Sequence, residues 1–161
     1  MVFDAYVEGC DERFSCAYRG FAKLKCEIFR GWNEELGKLY DENFRYLWED
    51  FDTSITNNFN FMDLIRLYNE RENGVIGQKM KKILNEYDKP YNEGMKIFYG
   101  LGDNRVSPKE CKLILDALER VDVEKFDKAD AEINEWLNDS YDTWKIMLKY
   151  AVDNNVDLVC G

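Results

Sequence analysis

The spacing of hydrophobic residues changes along the chain, and the change predicts where strands give way to helices. Val2 to Val7 is short and rich in β-branched and aromatic residues, which reads as a strand. Asn155-Val156-Asp157-Leu158-Val159-Cys160 alternates polar and apolar residues as a half-buried strand does. The two segments can pair in a small sheet formed by the termini. Between Gly9 and Gly31, Phe14, Tyr18, Phe21 and Phe29 stand among mixed charges, and the pattern selects neither strand nor helix.

From Trp32 the period becomes three to four. Leu36, Leu39, Tyr40, Phe44, Leu47, Trp48 and Phe51 fall on one helical face, with Glu34, Glu35, Lys38, Asp41, Glu42 and Arg45 on the other. Thr53 to Asn60 reads as a loop. A second helix carries Phe61, Leu64, Ile65 and Tyr68 and ends at Asn73-Gly74. A third carries Ile76, Met80, Ile83, Leu84 and Tyr87, with Lys79, Lys81 and Lys82 pointing elsewhere and Pro90 as its stop. Ser107-Pro108-Lys109-Glu110 is a capping box: a Ser cap, a Pro at the first helical position and a Glu three residues after the Ser. That fourth helix runs through Cys111, Ile114, Leu115, Leu118 and Val121. Two further helices centre on Ala129, Ile133, Trp136 and Leu137, and on Trp144, Met147, Leu148 and Ala151. The expected fold is mainly α, a compact helical domain of about six helices with a minor terminal β-sheet, and one domain over residues 1–161. A chain of this length buries about 70% of its unfolded surface, enough for one core.

Charge and composition narrow the function. Lys and Arg number 22 against 32 Asp and Glu, a net charge of −10, which opposes unaided binding to nucleic acid or an anionic membrane. Histidine is absent, so a Ser-His-Asp triad, a Cys-His dyad, a His-bearing zinc site and an imidazole pH switch are excluded. The first residues lack the basic flank and apolar run of a signal peptide, and no stretch approaches the roughly 18 apolar residues of a membrane span. A cytoplasmic location is expected. Five cysteines cannot all pair within one chain; Cys10, Cys16 and Cys26 lack Cys-x-x-Cys spacing, and Cys111 and Cys160 read as small buried hydrophobes.

Tyr99 to Glu110 invites comparison with a twelve-residue calcium loop, placing Asp103, Asn104, Val106, Ser107 and Glu110 at positions five, six, eight, nine and twelve. The frame fails at positions one and three, where Tyr99 and Leu101 replace oxygen ligands, so no metal site is expected. Gly100-Leu101-Gly102 lacks the third glycine and preceding strand of a dinucleotide loop and reads as a turn. No cofactor is expected. The many acids guarantee paired carboxylates, so no pair singles out an acid–base site, and the chain reads as a binding protein rather than an enzyme.

The acids are concentrated. Residues 116–142 hold ten of them (Asp116, Glu119, Asp122, Glu124, Asp127, Asp130, Glu132, Glu135, Asp139 and Asp142) against Arg120, Lys125 and Lys128, a net of −7, whereas residues 1–30 balance. On helices such acids project from the solvent face in rows that imitate the phosphates of a duplex. Such a face competes for a groove built to hold nucleic acid, with electrostatic steering of the encounter. The first nine of these acids are candidate partner-binding residues. Tyr46 falls off the apolar stripe and is a candidate exposed contact.

At Phe3-Asp4-Ala5-Tyr6 and at Ser107-Pro108-Lys109-Glu110-Cys111 with its apolar helix, the sequence resembles small uncharacterised acidic proteins of Firmicutes and their prophages. The resemblance covers most of the chain. It departs at Gly102-Asp103-Asn104-Arg105, where members of that group carry a fuller acidic turn. It implies no activity and no catalytic residues; what it implies is the setting of a phage inhibitor of host defence or transcription machinery. The expected function is therefore non-enzymatic inhibition of a bacterial defence system in the host cytoplasm, anti-CRISPR-like, by occlusion of a basic groove. Two alternatives stand beside it. One is an inhibitor or sequestering protein that uses an aromatic surface on a protein partner or small signalling molecule. The other is an enzyme based on carboxylates or on the Cys16 thiol. The wealth of aromatics also leaves room for a homodimer.

Overall fold

The computed structural model describes residues 2–48 and 75–161, without the side chains of residues 42–48, 75–77 and 89–90. β1 (Val2–Val7) is the expected strand, and its side chains alternate: Phe3, Ala5 and Val7 are buried, while Val2, Asp4 and Tyr6 face out. It pairs antiparallel with β2 (Arg13–Ala17) on one side, from Val2↔Ala17 to Tyr6↔Arg13, and with β4 (Leu158–Cys160) on the other. β4 pairs in turn with β3 (Asn104–Val106), giving a four-stranded antiparallel sheet in the order β2-β1-β4-β3. The expected pairing of the terminal segments thus forms the centre of the sheet. β3 is too short to display alternation, and β2 lies in the stretch whose pattern selected nothing.

Six α-helices lie among the described residues. α1 (Tyr18–Trp32) was not legible, because the charged Lys25 and Glu27 interrupt its apolar stripe and yet are buried. Asn33 separates it from α2 (Glu34–Trp48): its backbone N–H donates to Phe29 O at 2.8 Å, while its Oδ1 accepts the Leu36 N–H at 3.1 Å. One asparagine thus closes one helix and caps the next. Trp32 consequently ends α1 rather than opening the following helix. Leu36, Leu39 and Tyr40 are buried as expected. The expected loop from Thr53 to Asn60 and the second helix around Phe61, Leu64, Ile65 and Tyr68 lie outside the described residues.

α3 (Val75–Leu84) is the third predicted helix, with Met80 and Leu84 buried. It stops before Tyr87, which instead stacks on Trp32 at 4.1 Å between ring centroids. Pro90 does not stop α3; it lies in the first turn of α4 (Lys89–Tyr99), where its missing N–H leaves no bond unmade. α5 (Pro108–Leu118) carries the capping box in full: Ser107 Oγ accepts the Glu110 N–H at 3.2 Å, and the Ser107 N–H donates to Glu110 Oε1 at 3.1 Å. The two helices expected around Ile133 and Trp144 are one, α6 (Ala131–Asn154, 24 residues). The polar run Asn138-Asp139-Ser140 between the two expected centres contains neither Gly nor Pro, and the helix runs through it. Asn138 Nδ2 donates to the Asn134 carbonyl at 2.9 Å within the intact helix. α6 ends at Asn155, whose left-handed φ of 52° turns the chain toward β4.

α1 and α6 cover the inner face of the sheet. Phe3 stacks on Phe21 at 3.9 Å, and Trp144 lies against both Phe21 (5.7 Å) and Phe98 (5.5 Å, edge-on). Cys111 and Cys160 are buried, as expected of small apolar thiols. α4 and α5 approach so closely that a Cβ on Gly94 would overlap the Leu113 carbonyl. Among the described residues no helix is long and apolar enough to cross a membrane.

Two charged side chains of α1 fasten distant segments. The Lys25 ammonium donates to the carbonyls of Tyr99 (2.8 Å) and Leu101 (3.0 Å), holding the end of α4. Glu27 is 0% exposed; it accepts Lys23 Nζ at 3.1 Å, Arg30 Nη1 at 2.8 Å and the backbone N–H of Asp127 at 2.9 Å. A carboxylate can remain charged inside a protein only with partners of this kind.

Glu27→Ala should therefore destabilise the fold toward the low end of the roughly 3–5 kcal/mol typical of a broken buried pair, since the abandoned cations can turn to water. Glu27→Gln, which can still accept the Asp127 N–H, should lose less. Urea denaturation of the three proteins measures the order, and equal midpoints would contradict the assignment. Gly94→Ala should likewise lower stability by about 1–3 kcal/mol from overpacking, despite the roughly 1 kcal/mol that Ala gains over Gly in a helix; a thermal melt at or above the wild-type midpoint would show that α4 and α5 can part freely.

Candidate functional site

The acidic segment divides into carboxylates engaged in the fold and carboxylates left free. Asp116, on α5, pairs with Lys112. Glu119 stands at the C-terminal boundary of that helix, where its backbone N–H donates to the Leu115 carbonyl at 3.0 Å, and its carboxylate is exposed. Asp122 Oδ1 accepts the Glu124 N–H at 3.1 Å, capping a single 3₁₀ turn (Val123–Lys125), and its own N–H donates to Gly31 O at 2.9 Å. Glu124 pairs with Lys128 at 2.7 Å. Asp127 accepts the Ala129 N–H at 2.9 Å and pairs with Lys23 at 3.2 Å. The Ala129 amide, followed by the Lys23 ammonium, holds its carboxyl below the usual range. Asp130 caps α6, its Oδ1 accepting the N–H groups of Glu132 (2.9 Å) and Ile133 (3.1 Å).

This corrects the expectation of acids standing in helical rows throughout: Glu119, Asp122, Glu124, Asp127 and Asp130 lie on the connection between α5 and α6. An interhelical loop rich in Asp reads as a charge cluster in the sequence, while in the fold several of its carboxylates serve as hydrogen-bond acceptors for orphan backbone amides.

The row does exist on α6. Glu132, Glu135, Asp139 and Asp142 follow one another at steps of three, four and three. They fall within about 80° of helical arc and along about 15 Å of axis. All four are exposed. Their face lies opposite the one that buries Leu137, Tyr141, Trp144 and Leu148. Asp142 is 3.5 Å from Lys145, but among the described residues Glu132, Glu135 and Asp139 make no ion pair. Ile146, 49% exposed, continues the same face one turn beyond Asp142. The side chain of Tyr46 lies outside the described residues.

Other candidate chemistry takes a structural form. Tyr99 ends α4, Leu101 is buried, and Asn104 to Val106 form β3, so the residues aligned with a calcium loop build a helix end and a strand. Gly100 and Gly102 lie at the turn between them, as expected. Among the described residues no group of three or more His, Cys, Asp or Glu side chains is placed to hold a metal ion. All five cysteines are free thiols. Burial pushes the Cys16, Cys26 and Cys111 thiols up to about 11 and that of Cys160 to about 12, which keeps them protonated and poorly nucleophilic.

Comparison of the chain with protein-family models, with curated proteins and with solved structures gave no match.

The two kinds of carboxylate should separate by mutation. Asp130→Ala, which removes the α6 cap, should cost about 0.5–2 kcal/mol, whereas Glu135→Ala should stay within about 0.5 kcal/mol of wild type. Equal losses in urea melts would refute the division. The thiols set an alkaline limit. The folded chain holds protons to about pH 11–12 that the unfolded chain releases near 9.0, so their contribution is complete below pH 9 and is lost as pH rises through that window. Denaturation midpoints that do not fall between pH 8 and about 10.5 would contradict this burial.

Proposed function

We propose that the protein is a phage- or prophage-encoded, non-enzymatic inhibitor of a bacterial defence system, anti-CRISPR-like, which lays the acidic face of α6 into the nucleic-acid-binding groove of its partner. The observation that carries the reading is the row Glu132, Glu135 and Asp139, exposed, opposite the core and without an ion pair among the described residues. Carboxylates paired within the fold have much of their field cancelled; these three keep theirs for a partner. Their spacing, about 4.5–6 Å along the axis, is of the order of the phosphate repeat along a nucleic-acid strand. A groove lined with Lys and Arg attracts such a row at long range and releases bound counterions when it closes on it. The partner is therefore a basic bacterial protein, and the protein acts by occupancy, in proportion to its amount, without turnover.

The test is target-DNA cleavage by purified RNA-guided nucleases, whose guide–target duplex lies in a positively charged channel, with this protein titrated in. Inhibition should saturate near one protein per nuclease and weaken as salt rises. The triple variant Glu132→Lys, Glu135→Lys, Asp139→Lys should keep its stability within about 1 kcal/mol, because the three side chains are exposed and make no side-chain hydrogen bond or ion pair among the described residues. Its apparent affinity should fall by on the order of 10–1,000-fold, the range over which steering alters encounter rates. Undiminished inhibition by that variant, or no inhibition of any nuclease in the panel, would overturn the reading.

A further inference from the structure

We draw no further inference here: the strongest candidate, the outer face of the four-stranded sheet around Val2 and Tyr6, sets Arg13 and Arg105 against Asp4 and Asp157 without net charge, and nothing in the structure shows what covers it.

Discussion

Burial of Lys25 and Glu27 on a single helix is the constraint from which much of the remaining architecture follows. Neither charge can be left in an apolar interior without partners, and each finds at least one in a segment far away in sequence. Lys25 collects the carbonyl of Tyr99 at the end of α4 and that of Leu101 in the turn beyond it, and Glu27 collects an amide from the connection that precedes α6. The two residues face different sides of α1, so the helix is fastened to both halves of the later chain. Apolar packing alone tolerates sliding; hydrogen bonds of this directional kind fix where α4 ends and where the acidic connection lies.

The same pair explains why part of the fold was hidden. An amphipathic helix declares itself by a clean apolar stripe, and α1 breaks that stripe with Lys25, whose carbonyl partners lie some 75 residues away, and with Glu27, which adds to its neighbours Lys23 and Arg30 an amide 100 residues away. No local pattern reports the distant part of that compensation. Where stabilisation is local, the sequence was readable: the Ser107 to Glu110 box formed as written, and the β-branched and aromatic run Val2 to Val7 formed a strand. Pro90 was legible as a helix boundary but not as to its side, because proline suits a first turn as well as it ends a preceding helix. The merging of two expected helices into α6 has a similar cause. A polar run at a helix surface looks like a loop until the face it occupies is known.

Of the candidate site, the acidity could be read from residue counts, but the division of labour within it could not. Asp122 and Asp130 are spent on backbone amides, Asp127 on an amide and an ammonium, while Glu132, Glu135 and Asp139 carry carboxylates without a partner among the described residues. Net charge counts these residues alike, yet only the second set projects a field outward in a line. The fold thus turns a diffuse excess of negative charge into a directional one, carried on a helix whose opposite side is locked into the aromatic core by Trp144.

The sheet order carries a consequence for how the molecule comes to be. β1 and β4 are central neighbours, although more than 150 residues separate them. On a ribosome the hairpin of β1 and β2 emerges before α6 and β4, with Phe3 and Phe14 lacking the face that Trp144 supplies until α6 has been made. Closing so long a loop is entropically slow but weakly dependent on length. Completion of the sheet requires β4, and a nascent chain halted before Leu158 leaves the β4-pairing edge of β1 open to its neighbours.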